Sequence, residues 1–316
     1  MSINCVRSVQ RGARKVKTNA HRTPWGKRRE DGTWHPLIDH CLDVAIVFRR
    51  LLDVSHLSWV KSLNNLEKDR LTVLAFLHDF GKCNRGFQAK SDPLSRETAG
   101  HVLEAAAWLF DQHELWPEAW CALLQDIIKW FDGDESAVVA MLLASISHHG
   151  RPVSGQDYAS AGDVQRKARR NWQSGTDDDP IAAVTELSLA ARAAFPAAFS
   201  SEISWKSMPP LVQQRFAGLV MLADWIGSDT QFFPYRQSPQ EDRRKLADHA
   251  AKRALRSIGI LPPCRRQVRS FIETFGFAPS ELQQAISSGL SVNEESRILL
   301  VESDTGSGKT EAALAW

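Results

Sequence analysis

Between about residue 37 and residue 256, apolar positions recur at helical spacing with scarcely a break. Val138, Met141, Leu142 and Ser145 lead to His149 at steps of three and four, and Phe216, Leu219, Val220, Ala223 and Gly227 form another such stripe. No alternating strand pattern appears in this region. Loops are marked by Lys90-Ser91-Asp92-Pro93, by Gly150-Arg151-Pro152 and by Thr176-Asp177-Asp178-Asp179-Pro180. The pattern predicts an all-α domain. Its character changes near Gly259-Ile260-Leu261-Pro262-Pro263. Helical segments are predicted over Cys264–Phe275 and Glu281–Ser288. The short apolar run Arg297–Glu302 then reads as a buried strand, followed by the glycine-rich turn Ser303–Thr310 and the helix-forming Glu311–Trp316. One βα unit of a second, α/β domain is therefore expected within residues 259–316, and it breaks off mid-helix.

Composition adds little until charge is placed along the chain. A length of 316 residues allows about two domains. The 39 basic and 37 acidic side chains nearly cancel, so net charge points to no partner. Residues 1–30, however, hold nine Lys/Arg against Glu30 alone, and the expectation there is a disordered basic arm, with the folded domain beginning near residue 25. No apolar run is long enough to span a membrane, and the basic start lacks the apolar stretch of a secretory signal. Five scattered cysteines with no CxxC pair fit neither a disulfide framework nor a zinc ribbon, so a reducing cytoplasm is expected.

A strand, a Gly-Ser-Gly-Lys-Thr turn and a helix are the parts of a phosphate-binding loop. Glycines let backbone N–H groups close on phosphate, Lys309 supplies a point charge, and Thr310 offers a hydroxyl to Mg²⁺. The first glycine of the general pattern is replaced by Ser303. The form Thr305-Gly306-Ser307-Gly308-Lys309-Thr310 instead resembles motif I of superfamily 2 helicases, and Phe277-Ala278-Pro279-Ser280-Glu281-Leu282-Gln283 resembles their adenine-reading region, with Gln283 as its glutamine. The resemblance implies ATP and Mg²⁺ for a full-length helicase. The acidic Mg²⁺ ligand and water-positioning group that hydrolysis also needs are not among these residues, so ATP turnover by them alone is not expected.

The histidines carry the other chemistry. His40 heads the inward stripe Val44, Val47 and Leu51. Leu71, Leu74 and Ala75 point His78 inward, and Asp79 follows about 100° round the same helix. His148 and His149 end the apolar run Val138–Ile146, and Asp224 lies within the second stripe. Burying these groups alone costs several kcal/mol per charge, which a divalent metal offsets; imidazole and carboxylate together are its ligands.

The order His…His-Asp…His-His…Asp resembles the HD phosphohydrolase superfamily. Trp34–Ala45, His78-Asp79-Phe80-Gly81-Lys82, Ser147-His148-His149-Gly150 and Ala223-Asp224-Trp225, with Trp25-Gly26-Lys27 before them, look like the HD nuclease domain of CRISPR-associated nuclease–helicases of type I systems. An HD domain followed by a superfamily 2 motif I is that family's architecture. The resemblance implies an all-α HD fold over 25–258 and a first metal held by His40, His78, Asp79 and Asp224. It also implies a second metal held by Asp79 as a bridge with His101, His148 and His149, while His113 is a weaker rival for the place of His101. Lys82 is implied at the pocket edge, where its ammonium meets a phosphate. The ions are expected to be transition metals (Mn, Ni, Co or Fe), because Mg²⁺ prefers oxygen ligands. The implied reaction is hydrolysis of single-stranded DNA in CRISPR interference, with a guide-RNA surveillance complex and its R-loop as partner. Arg243–Arg269, and Arg166–Arg170 beside Trp172, are candidates either for a DNA groove or for plain solvated faces. A nucleotide phosphohydrolase and a non-catalytic binding module remain the rival functions.

Overall fold

Leu37–Val54 forms the central helix, α1. Leu37, Cys41, Val44, Val47, Phe48 and Leu51 are buried on one side, while Asp39, Asp43 and Ile46 are buried on the others. A helix covered on all sides needs partners on all sides. Those partners are α2 (Asn65–Phe76), α8 (Pro210–Gly227) and α9 (Arg243–Ser257). Between them the chain forms α3 (Val102–Asp111), α4 (Glu118–Trp130), α5 (Glu135–Ile146), α6 (Gly162–Trp172) and α7 (Pro180–Ala194).

This computed structural model describes residues 23–175, 178–201, 204–205, 208–235, 242–261, 270–286 and 300–315. It divides into two units, one ending at Ile260 and the other beginning at Leu261. The first is mostly helical. Four of its helices start where a side chain satisfies free N–H groups of the first turn: Asn64 with Glu67 for α2, Asp134 for α5, Asp179 ahead of Pro180 for α7, and Asp242 for α9.

Two features depart from the helical reading. Trp25–Arg28 (β1) and Trp34–Pro36 (β2) pair antiparallel around a turn with Gly32 at φ 85°, so Lys27, Arg28 and Arg29 belong to a hairpin rather than a loose arm. Strands of three or four residues are too short to show alternation. The remainder of the expected arm, residues 1–22, lies outside the described residues. In addition, the α-helical run through His78 and Asp79 ends early. After Phe76 the chain tightens into a 3₁₀ turn, Leu77–Cys83, in which Asp79 takes φ −112° and ψ 15°. The turn is held by the Asn84 side-chain amide, which donates to the carbonyls of Gly81 (2.7 Å) and Gly100 (2.9 Å).

In the second unit, Ser270 and Ser280 cap the short helices Phe271–Phe275 and Glu281–Gln284, and a third helix spans Lys309–Ala315. Of the expected strand Arg297–Glu302, only Leu300–Glu302 lie among the described residues. Leu300–Glu302 are in neither strand nor helix, and no strand of this unit lies among the described residues to pair with them. Arg297–Leu299, Cys264–Arg269, Ser287 and Ser288 lie outside the described residues.

The 3₁₀ turn and the start of α3 touch at Gly81, where an added Cβ would lie 2.0 Å from the His101 carbonyl oxygen and 2.9 Å from Ala105 Cβ. Gly81→Ala is therefore expected to cost about 1–3 kcal/mol, the range for overpacking. Gly218 in α8 has open space around it; Gly218→Ala is expected to be neutral or stabilising by about 1 kcal/mol through helix propensity. Urea midpoints of the two variants check both.

Candidate metal centre

Five separate segments deliver the chemistry-bearing side chains to one point. α1 brings His40, the 3₁₀ turn brings His78, Asp79 and Lys82, and α3 brings His101 as its N-terminal flanking residue. The turn after α5 brings His148 and His149, and α8 brings Asp224.

Asp79 is at the centre. Its Oδ2 lies 2.9 Å from His40 Nε2, 3.3 Å from His78 Nε2 and 2.6 Å from Lys82 Nζ. Its Oδ1 lies 3.3 Å from His101 Nε2 and 3.5 Å from His148 Nε2. His149 Nε2 is 3.0 Å from His101 Nε2. Asp224 Oδ1 lies 3.4 Å from His40 Nε2 and 3.8 Å from His78 Nε2, and it accepts a hydrogen bond from Ser228 Oγ at 2.8 Å. Two three-residue groups with converging ligand atoms result, His40–His78–Asp79 and His101–His148–His149.

The protonation pattern suits cation binding. Burial raises the Asp79 carboxyl, but the Lys82 ammonium, His78 and the hydrogen bond to His40 outweigh it and hold the group well below the usual carboxylate range. Asp224 is likewise held low against burial by His40, His78 and Lys27. Burial pushes His101 down to about 3 and His148 down to about 4, against the pull of Asp79. Burial and His148 also lower His149. His101 and His148 are therefore neutral near pH 7, the state in which imidazole is a ligand. His78 Nδ1 donates to the Ala75 carbonyl at 3.0 Å, and His148 Nδ1 to the Ser145 carbonyl at 3.3 Å, which turns each Nε2 lone pair inward.

A divalent cation fits this donor set. His78 Nε2 and Asp79 Oδ1 are buried without a hydrogen-bond partner among the described residues, which is costly unless a further group meets them.

Other candidates are placed differently from the expectation. His113 Nε2 donates to the Leu109 carbonyl and its ring packs on Trp116, so it does not compete with His101. Lys82 is not at an open pocket edge. It is buried, and besides Asp79 it donates to the Gly26 carbonyl at 3.0 Å. Trp172 is fully buried against Trp108 with its indole N–H on the Glu104 carbonyl, so it offers no face to a base. Arg166, Arg169 and Arg170 pair with Asp163, Glu114 and Glu97. Arg243 is buried on Asp43, with Arg243 Nη2 2.6 Å from its Oδ2; His35 shares that carboxylate at 2.9 Å. Sequence reasoning gave Lys27 no role, although its Nζ lies 3.5 Å from Asp224 Oδ1. The triplet Trp25-Gly26-Lys27 was the available signal.

In the second unit, Thr305–Gly308 form a turn with Gly306 and Gly308 at positive φ, and Lys309 and Thr310 begin the last helix. Lys309 Nζ donates to the carbonyls of Ser303 (2.7 Å) and Asp304 (2.6 Å), and Gln283 Nε2 donates to the Gly308 carbonyl at 3.1 Å.

Comparison with known proteins gives a family. The model of the Cas3 HD domain matches residues 25–233. The CRISPR-associated endonuclease/helicase Cas3 of Thermus thermophilus is 28% identical over 309 residues, covering 92% of this chain and 31% of that protein. Its counterpart in Escherichia coli is 27% identical over 342 residues, covering 92% of this chain and 36% of that protein. The chain thus spans about a third of the length of the curated relatives it matches. A crystal structure of a CRISPR-associated protein shares the fold at a TM-score of 0.60 and 24% identity, covering 92% of this chain and 33% of that one. With the family's model spanning most of the helical unit and the histidine–aspartate cluster lying inside the match, the chain belongs to the Cas3 HD domain family.

Proposed function

We propose that the helical unit is a metal-dependent nuclease that hydrolyses phosphodiester bonds of single-stranded DNA in CRISPR interference. The observation that carries this reading is the division of Asp79, whose two carboxylate oxygens each face a different pair of imidazoles. A carboxylate so placed is suited to bridge two cations. His40, His78, Asp79 and Asp224 would hold one, and Asp79, His101, His148 and His149 the other. A divalent metal there supplies Lewis acidity toward a phosphate oxygen and lowers the pKa of water. Lys82 fixes the Asp79 carboxylate, the Ala75 and Ser145 carbonyls orient His78 and His148, and burial keeps His101 and His148 in their ligating form. The names of the curated relatives support endonuclease and helicase activities for a longer protein. In that protein the turn Thr305–Thr310 and Gln283 would bind ATP with Mg²⁺, and a guide-RNA surveillance complex would present the displaced strand of an R-loop. No helix of the described residues is long and apolar enough to cross a membrane.

The donor chemistry sets the first expected outcome. Elemental analysis of the purified protein should find Mn, Ni, Co or Fe, and Mg²⁺ alone should not support cleavage, because Mg²⁺ retains its waters where imidazoles dominate. Full activity in Mg²⁺ with no transition metal present would contradict this.

Asp79→Ala should abolish cleavage of single-stranded DNA while the far-ultraviolet circular dichroism stays that of the parent. His113→Ala, which removes a ring outside the cluster, should cleave at close to the parent rate. Running the same assay on nucleotides separates a DNA nuclease from a nucleotide phosphohydrolase. Wild-type cleavage by Asp79→Ala would show that the centre is misassigned.

A further inference from the structure

The β1–β2 hairpin is clamped onto the metal centre more firmly than a covering loop requires. The Trp25 backbone N–H donates to Gln88 Oε1 at 3.0 Å, its indole N–H donates to the Gln88 carbonyl, and Gln88 Nε2 donates back to the Trp25 carbonyl. The Trp25 ring packs 4.6 Å from that of Phe87. At Gly26 an added Cβ would lie 2.9 Å from His40 Cβ and 3.0 Å from Leu37 Cα, so only glycine lets the strand lie this close to α1. The Gly26 carbonyl also accepts from Lys82. The next residue is Lys27, so its starting point is fixed by contacts on both sides.

Two ammonium groups thereby reach the carboxylates of the centre, and they differ in access. The Lys82 side chain is 6% exposed and is committed to Asp79 and Gly26. The Lys27 side chain is 29% exposed, and its ammonium, with three donors, meets Asp224 Oδ1 only at 3.5 Å. That carboxylate oxygen already accepts a shorter bond from Ser228. The neighbouring cations are engaged elsewhere: Arg28 donates to the Ser91 carbonyl and Arg29 lies over the Tyr235 ring. The Lys27–Asp224 pair is long and open to solvent on the lysine side, so it uses only part of the donor capacity of that ammonium.

We propose that Lys27 is a substrate-contacting residue, whose ammonium grips a non-bridging phosphate oxygen of the single strand as it lies against the carboxylates of the metal centre. This rests on the nuclease reading above. The group bound is a phosphodiester, recognised by charge and without regard to base. Lys27 works from the solvent side of the cluster and Lys82 from the buried side, which leaves Lys82 to hold Asp79 and Lys27 to meet the nucleic acid.

The test compares the 316-residue chain with Lys27→Gln and Lys27→Arg. Affinity for a fluorescein-labelled, cleavage-resistant phosphorothioate oligothymidylate is read by anisotropy across a salt series in Mn²⁺. Loss of one phosphate contact should make the log–log salt dependence of Lys27→Gln shallower by about 0.7, the single-strand increment per phosphate. It should also lower kcat/KM on the ordinary oligonucleotide by about tenfold, the lower end for a lost charged hydrogen bond. Mn²⁺ content should stay that of the parent, and Lys27→Arg should restore affinity. An unchanged salt slope in Lys27→Gln overturns the proposal, whether cleavage is unaltered or falls through loss of Mn²⁺. The binding arm needs no turnover. If the parent does not cleave, or Asp79→Ala cleaves as the parent does, the nuclease reading fails while the slope still reports on Lys27.

Discussion

The Asp79 carboxylate is the constraint around which the helical unit is arranged. It is buried, it is charged, and its low pKa means that it stays charged. An ion in that position costs several kcal/mol unless its surroundings compensate. Lys82, three residues along the same turn, supplies the direct countercharge, and four imidazoles from four segments complete the shell. Holding those imidazoles in place requires α1 to be enclosed, α2 to stop at Phe76, and α3 to begin against Gly81.

The same burial sorts the charges of the centre by depth. Inside, His101 and His148 lose their protons because solvent cannot stabilise the imidazolium. Two lysines lie at different depths, Lys82 beneath the carboxylates and Lys27 at their outer edge. Basic residues that look equivalent in a list therefore do different things. Arg243 is a buried partner of Asp43 that fastens α9 to α1, and Arg70 is buried near the rings of Trp130 and Trp205, donating to the Ser201 carbonyl at 2.7 Å. Both arginines hold the fold together, and neither offers its charge to a ligand.

What the sequence by itself determined was the helical class and the polar groups that interrupt its apolar stripes. Helical periodicity is a local property, set by burying one face of each segment, and it can be read without knowing what lies opposite. Polar groups set into apolar stripes, at His40, His78, Asp79 and Asp224, stand out for the same reason, since their burial is uneconomical without a shared purpose. The tertiary structure decided what no local pattern carries. The end of α2 at Phe76 depends on Asn84 reaching the carbonyls of Gly81 and Gly100. The choice of His101 over His113 depends on where α3 starts relative to the 3₁₀ turn, because both rings sit beside apolar helix and only one meets Asp79. Trp172 and Arg243 read as surface groups by composition, but packing against Trp108 and Asp43 withdraws them from solvent. Lys27 reads as one more charge in a basic stretch until Gly26, by lacking a side chain, lets β1 settle on α1 and brings that ammonium to Asp224. Sequence fixes which groups must find partners; which partners they find is set by contacts between segments far apart in the chain.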